Sequence, residues 1–119
     1  MQDTIFVVDD NGTNLSTAEE ALESQYRVIT LSSAARMFAI LEKVTPALIL
    51  LDIEMPEMGG FEAIKRLKSD EASAKIPVIF MTATADAAND GKELGAADII
   101  TKPFSVPVLL DCIKRHLPG

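Results

Sequence analysis

The run Ala47-Leu48-Ile49-Leu50-Leu51 has no polar alternation and stops on a carboxylate, Asp52. Such a run suits a strand covered on both faces, the condition of a central strand in a parallel sheet flanked by helices. The following Ile53-Glu54-Met55-Pro56-Glu57-Met58-Gly59-Gly60 ends on turn residues, so a tight loop is expected there. An acid at the carboxyl end of a buried strand stands where open α/β sheets carry their ligands. Taken alone, Asp52 reads equally well as an Asp that ends a strand and caps the next turn, so the rest of the chain has to decide.

A length of 119 residues fits one domain, residues 1–119, with a single core. The excess of 18 acidic over 11 basic residues, net −7, argues against direct nucleic-acid binding, which needs a basic patch. Cys112 is the one cysteine, so no internal disulfide forms; beside Leu109, Leu110 and Ile113 it reads as a small core residue. No basic-then-apolar leader and no apolar run near membrane-spanning length is present, so a cytoplasmic protein without a membrane partner is expected.

In chain order, Thr4-Ile5-Phe6-Val7-Val8 is a β-branched and aromatic run ending on Asp9 and Asp10. Asn11 to Asn14 offers a turn with capping residues, and Leu15, Ala18, Ala21 and Leu22 recur at helical spacing. Tyr26 to Leu31 predicts a second strand. Ser32 or Ser33 then caps a helix with an apolar stripe of Met37, Ile40, Leu41 and Val44, ended by Pro46. After the central strand, Phe61, Ile64 and Leu67 give another helical face, and Ser69 to Lys75 reads as a polar linker. Ile76 to Met81 is a fourth apolar run, with Pro77 at its start, ending on Thr82. Ala83 to Gly95 is a weak helical segment, Ala-rich but interrupted by Asn89 and Gly91. Ala97 to Thr101 is the fifth strand, followed by Lys102-Pro103; Ser105 caps a last helix that buries Leu109, Leu110, Ile113 and Leu117.

Strands alternating with helices predict a doubly wound α/β fold, a five-stranded parallel sheet with five helices. Right-handed crossovers bring all the strand ends to one rim. Asp9, Asp10, Asp52, Thr82 and Lys102 then converge from four separate strands, which chance explains poorly. Carboxylates sharing a small site repel unless a cation neutralises them, and a hard divalent ion such as Mg²⁺ is the natural partner. A carboxylate can attack a phosphoryl group to form an acyl phosphate, with metal, ammonium and hydroxyl each stabilising a different oxygen; Asp52, Lys102 and Thr82 fit those roles. Gly59-Gly60 lacks the Lys and Ser/Thr of a nucleotide-binding P-loop.

Val-Val-Asp9-Asp10-Asn, Leu-Leu-Asp52-Ile-Glu-Met-Pro56-Glu-Met-Gly59-Gly60, Met-Thr82-Ala83 and Ile-Thr-Lys102-Pro103-Phe104 together resemble the receiver domain of two-component response regulators. The likeness spans the chain in order. It implies a flavodoxin-like sheet of order 2-1-3-4-5, and Asp52 as acceptor of a phosphoryl group from a histidine kinase or histidine phosphotransfer protein. It further implies Mg²⁺ held directly by Asp10, Asp52 and the backbone carbonyl of Glu54, with Asp9 acting through a water. Lys102 pairs with the phosphoryl group, Thr82 swings toward it as the switch, and Pro103 follows a cis bond in many members. The face built from the fourth predicted helix, the fifth strand and the last helix is implied as the output and homodimer surface. Such a domain catalyses only its own phosphorylation and dephosphorylation, and it can stand alone or form the N-terminal piece of a longer regulator.

One departure stands out: where many receivers carry an aromatic switch residue, this chain has Ile99. Output is therefore expected through a backbone or helix rearrangement, not a ring rotation. By the same resemblance, Glu54 and Thr84 lie beside the path of attacking water and tune the lifetime of the acyl phosphate. His116, beside Lys114 and Arg115 in the last helical turn, reads as a cation suited to the helix dipole, not a phosphate carrier. A small Mg²⁺-dependent phosphatase is disfavoured because Glu54 stands where that family has a second Asp. An FMN carrier is disfavoured because Asp9 and Asp10 would repel its phosphate.

Overall fold

The computed structural model describes residues 3–83 and 93–117. Its strands are β1 (Thr4–Val8), β2 (Arg27–Leu31), β3 (Leu48–Asp52), β4 (Val78–Thr82) and β5 (Asp98–Thr101). They form one sheet of order β2-β1-β3-β4-β5 with every pairing parallel. Five helices accompany them among the described residues: α1 (Gly12–Leu22), α2 (Ala34–Leu41), α3 (Gly60–Lys68), α4 (Glu71–Ala74) and α5 (Val106–His116).

The sheet is covered on both sides, which explains why its strands read as continuous apolar runs. Phe6, Val8, Ile49, Leu51, Val78 and Phe80 face α2 and α3, where Met37, Ile64 and Leu67 complete one core layer. The alternate residues Ile5, Val7, Leu48, Leu50, Ile79 and Met81 face α1 and α5, packing on Ala18, Leu22, Leu109 and Ile113. Among the described residues no helix is long and apolar enough to cross a membrane.

Local capping sets the helix starts. Asn11 accepts from the amides of Thr13 and Asn14, Ser33 from Arg36 and Ser105 from Val108, each satisfying a donor left open at a helix start. Two expectations are corrected. The second helix does not run to Pro46: it ends at Leu41, where the Lys43 amide bonds back to the Ile40 carbonyl at 2.9 Å and tightens the last turn. Ser69 to Lys75 is not simply a linker, because Asp70 caps the single turn of α4 and the Ser73 hydroxyl donates to the Leu67 carbonyl at 2.7 Å. The predicted helix of Ala83 to Gly95 lies largely outside the described residues.

Candidate functional site

Register brings the acids together. Val8 pairs with Leu51, so the next residues along β1 and β3, Asp9 and Asp52, emerge side by side. Both are buried, at 0% and 3% exposure, while Asp10 is exposed. Asp9, Asp10 and Asp52 each offer an oxygen within 4.8 Å of the others, a donor set suited to a hard cation. From the far side, the Lys102 ammonium reaches Asp9 Oδ2 at 2.9 Å and Asp52 Oδ1 at 3.1 Å. Lys102 is carried there by its own amide, which donates to the Thr82 carbonyl at 2.7 Å as β5 leaves the sheet.

Asp9 is held from several directions. Its Oδ1 accepts from the Asn11 amide at 2.9 Å; its Oδ2 accepts from Asn14 Nδ2 at 3.1 Å as well as from Lys102. Asn14 was legible in the sequence only as a turn residue, and its grip on Asp9 follows from the first turn of α1 passing over the end of β1. Asp52 accepts from the Glu54 amide at 3.3 Å, and the buried Thr82 hydroxyl donates to Glu54 Oε1 at 3.2 Å.

The electrostatics match a cation-seeking site. Burial, and then the charge of Asp9, push the Asp52 carboxyl up to about 6 despite Lys102 and the Glu54 amide pulling the other way. Burial works against the Lys102 ammonium, but its bonds to Asp9 and Asp52 raise it above its ordinary value overall. One ammonium does not balance this many carboxylates, and ionised Asp52 calls for further positive charge.

Ile99 is half-buried and packs with the Phe80 layer, its register partner on β4. The Lys102-Pro103 bond is cis, as the resemblance implied. Thr84 lies outside the described residues. The loop after β3 is turned by Glu57, at φ 67°, and not by a glycine. Gly60 serves a different need: a Cβ there would stand 2.7 Å from the Asp52 carbonyl oxygen and 2.7 Å from Ile53 Cα. At the opposite end of β5, Asp98 gathers Cys112 and His116, a cluster that reading those residues singly did not disclose.

A doubly wound parallel sheet whose strand ends collect buried carboxylates and a lysine defines a class of Asp-centred α/β signalling and phosphoryl-handling domains. Within that class the chain belongs to the response regulator receiver domain family, whose model matches residues 5–114. It is 35% identical over 120 residues to the polar-differentiation response regulator DivK of Brucella ovis, covering 98% of each chain. It is 38% identical over 118 residues to a probable cyclic di-GMP phosphodiesterase of Vibrio cholerae, but 98% of this chain spans only 27% of that relative. The solved receiver domain of the sensor histidine kinase PA1611 from Pseudomonas aeruginosa, described with a magnesium ion coordinated in its active-site cleft, superposes with a TM-score of 0.85. That match has 26% identity and covers 98% of each chain. The chain is thus a receiver domain of two-component systems, and receivers occur both in stand-alone regulators and in larger proteins.

Proposed function

We propose that Asp52 is the phosphoacceptor and that the chain passes a signal by taking a phosphoryl group from the phosphohistidine of a histidine kinase or histidine phosphotransfer protein. The observation that carries this reading is the position of Asp52: buried at 3% exposure at the end of the central strand, beside Asp9, with Lys102 at 3.1 Å. A carboxylate oxygen of Asp52 attacks phosphorus in line with the departing imidazole nitrogen; the P–N bond breaks as the acyl phosphate forms. Lys102 then turns from the carboxylate to the incoming phosphoryl oxygens, keeping its second bond to Asp9.

The donor set of Asp9, Asp10 and Asp52 fits Mg²⁺. Asp10, Asp52 and the backbone carbonyl of Glu54 would hold it directly. Asp9, already bound by Asn11, Asn14 and Lys102, would act through water. When bound, the ion neutralises charge on the phosphoryl oxygens.

Thr82 is the proposed switch. Its hydroxyl leaves Glu54 for the phosphoryl group, and β4 carries the change to β5 through the Thr82–Thr101 pair. Because Ile99 offers no ring to rotate, output is expected as a rearrangement of backbone and helix along the face that includes β5 and α5, which is also the proposed homodimer surface. Glu54 and Thr84 are the proposed lifetime-tuning residues. On this reading the chain is a single receiver domain that turns over only its own phosphate. Phosphorus NMR after treatment with phosphoramidate and Mg²⁺ tests it: an acyl-phosphate resonance lost in Asp52→Asn supports the reading, and one that persists in the variant overturns it.

A further inference from the structure

The second cluster, on the β5–α5 side of the sheet, combines sulfur, nitrogen and oxygen. Cys112 Sγ lies 3.4 Å from Asp98 Oδ2, and His116 Nε2 lies 3.1 Å from the same oxygen. Cys112 and His116 are four residues apart, on one face of α5, the spacing by which helices present paired zinc ligands. Asp98 comes from the strand beneath and is fixed by a 2.8 Å bond from the Ile99 amide to its other oxygen. All three candidate ligand atoms lie within 4.8 Å of one another.

We propose that Asp98, Cys112 and His116 form a binding site for a borderline-soft divalent ion, Zn²⁺ in the first instance, that clips the start of β5 to the end of α5. Zinc bonds of about 2.3 Å to sulfur and about 2.0 Å to nitrogen and oxygen give tetrahedral edges of roughly 3.5 Å for S···O and roughly 3.3 Å for N···O. The structure already has 3.4 Å and 3.1 Å on those edges. The mixed donor set selects against Mg²⁺, which prefers oxygen alone.

Access and charge agree. Cys112 is 1% exposed, whereas the Asp98 and His116 side chains are 22% and 25% exposed, so an ion enters past those two and keeps its fourth position toward solvent. On binding, the Cys112 thiol gives its proton to solvent, and His116 keeps its proton on Nδ1 while Nε2 becomes the ligand. Thiolate and carboxylate then match the charge of the ion. The Arg115 guanidinium, 3.7 Å from Asp98 Oδ2 and 3.5 Å from Asp111 Oδ2, is the cation beside the cluster among the described residues, and Asp111 draws it outward. The site is separate from the acidic one: Asp98 pairs with Ile79 at the start of the strands, Thr101 with Thr82 at their end.

The test is titration of the untagged, reduced full chain with Co²⁺ and then Zn²⁺, with excess Mg²⁺ present to occupy the carboxylate site. The expected result is one equivalent of Co²⁺ with thiolate-to-cobalt charge-transfer absorption, displaced by Zn²⁺. Because Cys112 is the one cysteine, the acidic site contributes nothing to that absorption. Cys112→Ser should abolish it. His116→Gln, at a partly exposed position that preserves the fold, and Asp98→Asn should each weaken Zn²⁺ binding by at least about tenfold. If Cys112→Ser does not fold, His116→Gln decides. No saturable binding to the natural chain, or binding unchanged in His116→Gln and Asp98→Asn, overturns the site and leaves the cluster as a hydrogen-bonded latch only.

Discussion

The Thr82 hydroxyl donates to Glu54 Oε1 at 3.2 Å, tying the end of β4 to the loop that follows β3. Any shift of Thr82 toward a phosphoryl group on Asp52 has to give up that bond. Glu54→Ala removes it, along with an acid beside the site. A hydrogen bond of this kind is worth about 0.5–1.5 kcal/mol net. The variant should therefore bind the phosphoryl mimic beryllofluoride roughly 2- to 10-fold more tightly than the natural chain, read by titration with Mg²⁺ present. Unchanged or weaker binding would separate Glu54 from the switch.

Asp52 makes the metal-free fold pH-dependent in a defined direction. Its carboxyl titrates at about 6 in the folded chain against an ordinary value of 3.8. Between those values the folded chain binds the extra proton, so this group's contribution to stability falls as pH rises through the window. Asp52→Asn lacks the effect. It should be more stable than the natural metal-free chain by about 2 kcal/mol near neutral pH, with the difference shrinking toward about pH 4. Thermal melts across that range check the sign, and Mg²⁺ should close the gap from the other side by stabilising the natural chain.

Lys102→Met leaves Asp9 and Asp52 facing each other without their shared ammonium, now 2.9 and 3.1 Å away. Breaking a buried pair from one side costs several kcal/mol; with Lys102 partly in contact with solvent, a loss of about 2–3 kcal/mol is expected without metal. Millimolar Mg²⁺ should restore much of it, because the ion supplies the missing charge. Denaturant melts with and without Mg²⁺ measure both numbers. A loss that Mg²⁺ leaves untouched would mean that the cation site and the lysine do not share the same carboxylates.

Gly60→Ala puts a methyl 2.7 Å from the Asp52 carbonyl oxygen, where only backbone can give way. A destabilisation of about 1–3 kcal/mol is expected, together with weaker Mg²⁺ binding, since the shifted peptide belongs to Asp52 itself. Gly12→Ala, with nothing within 4 Å of the added atom, is the control that should fold normally.

The strand-end residues were legible because parallel sheets covered on both faces write each strand as an apolar run with an abrupt polar stop. Asp9, Asp52, Thr82 and Lys102 each sit at such a stop, and topology does the rest. Side-chain assignments within loops were not legible. Gly59-Gly60 pointed to a glycine turn, yet Glu57 carries the positive φ and Gly60 is required by close approach to the Asp52 backbone. Asn14 looked like capping chemistry and instead holds Asp9. Cys112 and His116, read one at a time, gave a core residue and a helix-end cation. Their meeting at Asp98 depends on the helix phase of α5 over β5, which neither residue carries alone.

The most direct test of Asp52 as phosphoacceptor is intact mass after incubation with acetyl phosphate, with and without Mg²⁺, for the natural chain and Asp52→Asn. The predicted result is a gain of one phosphoryl group that needs Mg²⁺ and is absent in the variant. A gain that survives Asp52→Asn, or no gain and no binding of beryllofluoride by the folded natural chain, would contradict it.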